Sequence, residues 1–150
     1  MQQSLNFLLV DDDIDDTFLF KEVIGQIKTP IKLTSASDGL QAMNTLETMA
    51  EQPDLIFLDL NMPSMGGKEC LLQIKTDDRL RHIPVVMYTT SSQSKDIEET
   101  MMNGAAGFIT KPTSIKELEY IVATLAQSLP HNLSKALQTL SNEVATFIVC

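Results

Sequence analysis

The 150-residue chain has only two cysteines, and neither stands in a pattern that cysteine chemistry uses. Cys70 falls within a helical repeat and Cys150 is the last residue, so no disulfide framework, metal spacing or redox pair is on offer, and reduced thiols are expected. Basic residues are also scarce, 11 against 20 acidic ones, for a formal net charge of -9. That balance argues against nucleic acid as a partner, because binding it needs clustered Lys and Arg to displace counterions from phosphates. Cations and basic protein surfaces are the more natural ligands. No apolar stretch reaches 18 residues, and the opening MQQSLNFLLV lacks the basic start and cleavage pattern of a signal peptide. No membrane contact is expected, and a cytoplasmic location is. Glycine and proline are few, six each, and no low-complexity tract occurs, which with 43% hydrophobic residues excludes a disordered chain. One folded domain is the expectation at this length.

What is present is a set of short apolar runs: NFLLV at 6–10, DLIFL at 54–58, PVVMYT at 84–89 and GFIT at 107–110. Their length and their β-branched and aromatic content predict strands buried on both faces of a parallel sheet. IKLTSA at 31–36 alternates and suits a strand nearer an edge. Between the runs, apolar residues recur at helical spacing: Phe20, Val23, Ile24 and Ile27, then Met43, Leu46 and Met49, then Leu71 and Ile74, then Ile97 and Met101, then Ile115 to Leu125. Ser114 with Glu117 reads as a capping box for the last of these helices, and Asn103-Gly104 as the end of the one before. Strand and helix thus alternate five times, which implies an α/β fold with a doubly wound sheet and right-handed crossovers.

In such a sheet ligands gather beyond the carboxyl ends of the strands, so the residues just past each run matter most. They are Asp11, Asp12 and Asp13, then Asp59, then Thr89, Thr90 and Ser91, then Lys111. Asp13, Asp15 and Asp16 precede or open a helix, where carboxylates cap amides and complement the dipole, and that role accounts for them. Asp11, Asp12 and Asp59 are different. Brought together, two such charges roughly 4 Å apart repel by about 4 kcal/mol at an effective dielectric near 20. Either one carboxylate takes a proton or a hard cation such as Mg2+ sits among them, with help from the Lys111 ammonium. A carboxylate beside Mg2+, a hydroxyl and a lysine is also equipped for phosphoryl transfer, with Asp as the nucleophile.

FLLVDDD, DLIFLDLNMPSMGG, PVVMYTTSS and GAAGFITKP, in this order, resemble the receiver domain of two-component response regulators, the CheY-like family. The resemblance covers residues 5 to about 128, and the separations of 30 residues from Asp59 to Thr89 and 22 from Thr89 to Lys111 agree with it. It implies a flavodoxin-like (βα)5 fold with a five-stranded parallel sheet in the order 2-1-3-4-5. Residues 1–130 would form the receiver, and residues 131–150 a helical extension. It makes Asp59 the phosphoacceptor, Asp12 a direct Mg2+ ligand, Asp11 a ligand through water and Asn61 a ligand through its carbonyl. Thr89 and Lys111 would bind phosphoryl oxygens, and Phe108 would change rotamer with phosphorylation. No further catalytic residue is implied, and the Lys111–Pro112 bond is expected to be cis. The donor would be a histidine kinase or a histidine phosphotransfer protein, and the output an unspecified protein partner.

In the segment 131–150, Leu133, Leu137, Leu140, Val144 and Phe147 recur at helical spacing. Twenty residues are too few for a DNA-binding domain; the segment reads as a sixth helix packed on the receiver or as a surface for self-association into a homodimer. Two rival functions fit the residues less well. A phosphate-ester hydrolase of the haloacid-dehalogenase type needs a second Asp two residues past its nucleophile, where this chain has Asn61. A flavodoxin-like cofactor binder needs a phosphate-cradling loop after the first strand, where this chain has aspartates that would repel the phosphate.

Overall fold

The computed structural model describes residues 4–150; the first three residues of the 1–130 segment lie outside the described residues. Five strands alternate with five helices: β1 Leu5–Val10, α1 Ile14–Gln26, β2 Ile31–Ala36, α2 Gly39–Thr48, β3 Leu55–Leu58, α3 Gly67–Thr76, β4 Val85–Thr89, α4 Ser94–Met102, β5 Gly107–Thr110 and α5 Ile115–Ser128. Two further elements follow, α6 Leu133–Glu143 and β6 Ile148–Val149. The sheet order is β2-β1-β3-β4-β5-β6, parallel through β5. The expected order 2-1-3-4-5 is therefore present, with one strand added.

Alternation along each strand divides the apolar runs between two cores. In β1, Leu8 and Val10 join Ile56, Leu58, Val85, Met87 and Phe108 under α2, α3 and α4. Phe7 and Leu9 join Leu55, Phe57, Val86, Tyr88 and Ile109 under α1, α5 and α6. Both faces of the central strands are thus covered, which is why those runs read as unbroken apolar stretches. β2, with one covered edge and partly exposed side chains, keeps the weaker pattern. The strand order reverses between β1 and β3, and their carboxyl ends open a crevice there.

Three local expectations need correction. The C-terminal helix ends at Glu143, short of Val144 and Phe147, and the chain then turns to add β6 antiparallel to β5. Among the described residues the cis peptide bond is Leu129–Pro130; Lys111–Pro112 is trans. Ser114 does cap α5 by accepting from the Glu117 N–H, at 3.3 Å, but the Glu117 carboxylate does not complete the box. It accepts instead from the N–H and hydroxyl of Thr146, tying the tail to α5. α6 lays Leu133, Leu137 and Leu140, all buried, against the core beneath α5, so this helix is packed on the body of the molecule.

Candidate functional site

The crevice at the β1/β3 reversal is floored by two strand ends held in register. Val10 lies opposite Leu58, and the Asp59 N–H donates to the Val10 carbonyl at 2.9 Å. Asp11 and Asp59 therefore leave neighbouring strands side by side, both buried. Asp12, exposed, completes the group: one carboxylate oxygen from each of Asp11, Asp12 and Asp59 lies within 4.8 Å of the others. At the next strand ends, Thr89 is fully buried and its carbonyl accepts from the Lys111 N–H at 2.7 Å, so hydroxyl and ammonium are fixed to each other through the backbone.

The Lys111 side chain is only 8% exposed, and its Nζ reaches Asp11 Oδ2 at 2.7 Å, Asp16 Oδ2 at 2.7 Å and Asp59 Oδ2 at 3.5 Å. Burial alone would lower the pKa of this lysine; the surrounding carboxylates reverse that and hold it charged. The same ammonium lies 5.6 Å from the centre of the buried Tyr88 ring, within range of a cation–π attraction. Asp11 shows the opposite balance. Desolvation raises its pKa from 3.8 to about 6, against the pull of Lys111 and of the Asp13 N–H, which donates to Asp11 Oδ1 at 2.9 Å. The buried Asp11 Oδ2 has the Lys111 ammonium, 2.7 Å away, as its ion-pair partner.

Three carboxylates with oxygens within 4.8 Å of one another are a donor set of hard oxygens only, which fits a divalent cation such as Mg2+ or Mn2+ and does not suit softer metals. The Asp59 carboxylate is oriented by the Leu60 N–H, which donates to Oδ1 at 2.8 Å and leaves Oδ2 facing Lys111. The loop after Asp59 carries exposed Asn61 past the carboxylates and turns back into α3 through a bond from the Gly67 N–H to the Leu60 carbonyl at 2.8 Å. Gly67 is obligatory there: a Cβ would lie 2.0 Å from the Asp59 carbonyl oxygen. The left-handed residue of the turn is Ser64, with φ of 64°, whereas Gly66 has ordinary backbone and caps α3.

Of the residues expected from sequence, Asp11, Asp12, Asp59, Thr89 and Lys111 converge on this crevice. Phe108 lies in β5, three residues before Lys111, fully buried in the core beneath α4. Asp16 and Tyr88 are the additions. Asp13 does cap α1, accepting from the Asp16 N–H at 3.0 Å, as its position suggests. Asp16, read only as a helix-start residue, instead puts its carboxylate on Lys111, 95 positions away. A cleft of about 430 Å³ opens from the carboxylates between α1 and the end of β2, lined by Asp11, Asp12, Ile14, Phe18, Lys21 and Gln41 among others.

The profile of the family described as "Response regulator receiver domain" matches residues 7–123, and the chain belongs to that family, the receiver domains of two-component signalling. It is 36% identical over 116 residues to the response regulator Rcp1 of Synechocystis sp., covering 74% of this chain and 79% of that protein. Among solved structures it resembles the phosphorylated cyanobacterial phytochrome response regulator RcpA, with a TM-score of 0.77 and 33% identity over 84% of this chain and 94% of that one. It is likewise similar to the Mn(2+)-bound form of Rcp1, with a TM-score of 0.73 and 33% identity over 83% of this chain and 93% of that one.

Proposed function

We propose that Asp59 accepts a phosphoryl group from the phosphohistidine of a histidine kinase or histidine phosphotransfer protein, and that the modified chain signals through a changed protein-binding face. The observation that carries this reading is the meeting of three carboxylates, within 4.8 Å, with the buried Lys111 ammonium and the buried Thr89 hydroxyl at adjacent strand ends. In the transfer an Asp59 carboxylate oxygen attacks phosphorus, the P–N bond breaks, and its electron pair remains on the imidazole nitrogen of the donor. Asp11, Asp12, Asp59 and the Asn61 carbonyl would hold Mg2+. When bound, the ion supplies neutralisation of charge on the transferring group. A phosphorylated relative and a Mn(2+)-bound one support both parts of the reading.

Lys111 would exchange part of its contact with Asp11 and Asp16 for a phosphoryl oxygen. Thr89 would turn its hydroxyl to another, giving up its long contact, 3.4 Å, with the Ser91 N–H. These charge-assisted bonds favour one of two existing conformations, with Phe108 inward and the face of α4, β5 and α5 remodelled. A shift from 1:99 to 99:1 needs a differential of about 5.5 kcal/mol, within reach of a few such bonds. Residues 1–130 form the receiver in this reading, and residues 131–150 are its extension. Ile14 and Phe18, exposed on α1 at the mouth of the acidic cleft, give a protein donor an apolar surface to rest on.

The chain acts as a phosphoacceptor that loses its phosphoryl group slowly, rather than as a hydrolase, since Asn61 stands where a hydrolase keeps its acid. Supplied with a chromogenic phosphate ester and Mg2+, it should release about one equivalent of product per chain and then continue only at the slow rate of its own dephosphorylation, the behaviour of a covalent acceptor. Turnover far faster than the loss of the phosphoryl group from the labelled chain, and lost in Asp59→Asn, would replace this reading with that of an enzyme.

A further inference from the structure

Without its tail the chain would leave β5, which carries Phe108, at the edge of the parallel sheet. In this molecule that edge is taken. β6 pairs antiparallel along β5, with Val149 opposite Phe108 and Ile148 opposite Ile109, and the Thr110 N–H donates to the Phe147 carbonyl at 3.0 Å. Directly opposed residues of an antiparallel pair project to the same face, with Cβ atoms about 5 Å apart. Val149 accordingly packs against the core cluster that contains Phe108, and Ile148 against the one that contains Ile109. The seat for this strand is built into β5: a Cβ on Gly107 would come within 3.0 Å of Leu137 and 3.3 Å of the Val149 carbonyl oxygen, so glycine lets α6 and β6 close on the edge. Glu117 of α5 holds Thr146, and the Tyr120 hydroxyl donates to Glu143 at 2.6 Å, anchoring the connection between α6 and β6 from the same side.

We propose that Val149 is a positioning residue for Phe108: the C-terminal strand closes the outward path of the ring and holds it inward, biasing the receiver toward the conformation favoured by phosphorylation at Asp59. The inference rests on the phosphoacceptor reading above and adds to it a built-in element that sets the resting balance. Phe108 is fully buried in the structure that has β6 docked on β5, the arrangement such a bias requires. The coupling is reciprocal. By whatever factor a docked β6 tightens binding of a phosphoryl group, the phosphoryl group tightens docking of β6 by the same factor.

The test uses the full chain with Mg2+ and beryllofluoride as the phosphoryl mimic, its affinity followed by NMR. Val149→Asp, which places a charge against the apolar cluster, should weaken beryllofluoride binding on the order of 10-fold, while Val149→Ile should leave it unchanged. In a Phe108→Ala background the same Val149→Asp change should have no effect on affinity, an outcome that a general loss of tail packing would not produce. In the unaltered chain, saturating beryllofluoride should slow hydrogen exchange at the Thr110 amide. Binding by Val149→Asp that is as tight as or tighter than that of the unaltered chain overturns the inference, and so does an equal loss with and without Phe108. If the unaltered chain itself binds no beryllofluoride, the phosphoacceptor reading fails first and takes this one with it.

Discussion

Asp11 bears the crowding of the crevice most directly, and its protonation should report on it. With its pKa raised from 3.8 to about 6, the folded metal-free state holds this proton more tightly than the unfolded chain does. The sign follows: relative to Asp11→Asn, the metal-free protein should lose stability as pH rises from about 4 to about 6, and the difference should level off above that. Carboxyl-detected NMR should find one group titrating near pH 6 without metal, and Mg2+, which binds the carboxylate form, should move that titration down. A titration indifferent to Mg2+ would mean that the ion does not sit at Asp11. Lys111 and Asp59 should respond with opposite signs. Lys111→Met leaves buried carboxylates facing one another and should cost ~3 kcal/mol in metal-free urea unfolding, as breaking a buried pair does. Asp59→Asn removes one of the repelling charges and should not destabilise. The five residues at the strand ends were legible because sequence position alone put them there. Asp16 was not, because a carboxylate in the first turn of a helix has a sufficient local explanation, and its partner Lys111 becomes a neighbour only once the sheet is assembled. Tyr88 likewise reads as strand filler until Lys111 is placed over its ring.

At the level of elements, β1, β3, β4 and β5 were legible because strands covered on both faces carry an unmistakable apolar density, β2 by its alternation, and the structure moves their ends by a residue at most. β6 was not. It has two residues, and Val144 and Phe147 just before it continue the spacing of α6, so periodicity carried the helix too far. What stops the helix is tertiary: Glu117 takes the Thr146 N–H and β5 takes the Phe147 carbonyl, satisfying backbone groups outside a helix. In the turn after Asp59 glycine is the usual left-handed residue, but here Gly67 is needed for close approach and Ser64 supplies the positive φ. If α6 is part of the folded body, Leu137→Ala, at a fully buried site, should cost ~3 kcal/mol in the single unfolding transition seen by circular dichroism. A separate low-stability transition, with the main one unchanged, would instead make the tail an independent appendage.

For the molecule as a whole, the reversal of strand order between β1 and β3 is what converts a sequence pattern into a site, because it opens a crevice where aspartates from two strand ends meet. A cation bound there should stabilise the entire fold. Mg2+ at about 100 times its Kd should add about 2.7 kcal/mol to the unfolding free energy, and Asp12→Asn, altering an exposed ligand that packs against nothing, should abolish most of that gain while leaving metal-free stability nearly unchanged. Equal stabilisation of both proteins would point to general screening of the net charge of -9 rather than to a site. The central claim, that Asp59 is a phosphoacceptor, is tested most directly by incubating the chain with acetyl phosphate and Mg2+ and measuring its intact mass. The account predicts the gain of one phosphoryl group, lost on adding a chelator before the donor and absent in Asp59→Asn. A chain that gains none, or an Asp59→Asn variant that still gains one, would contradict it.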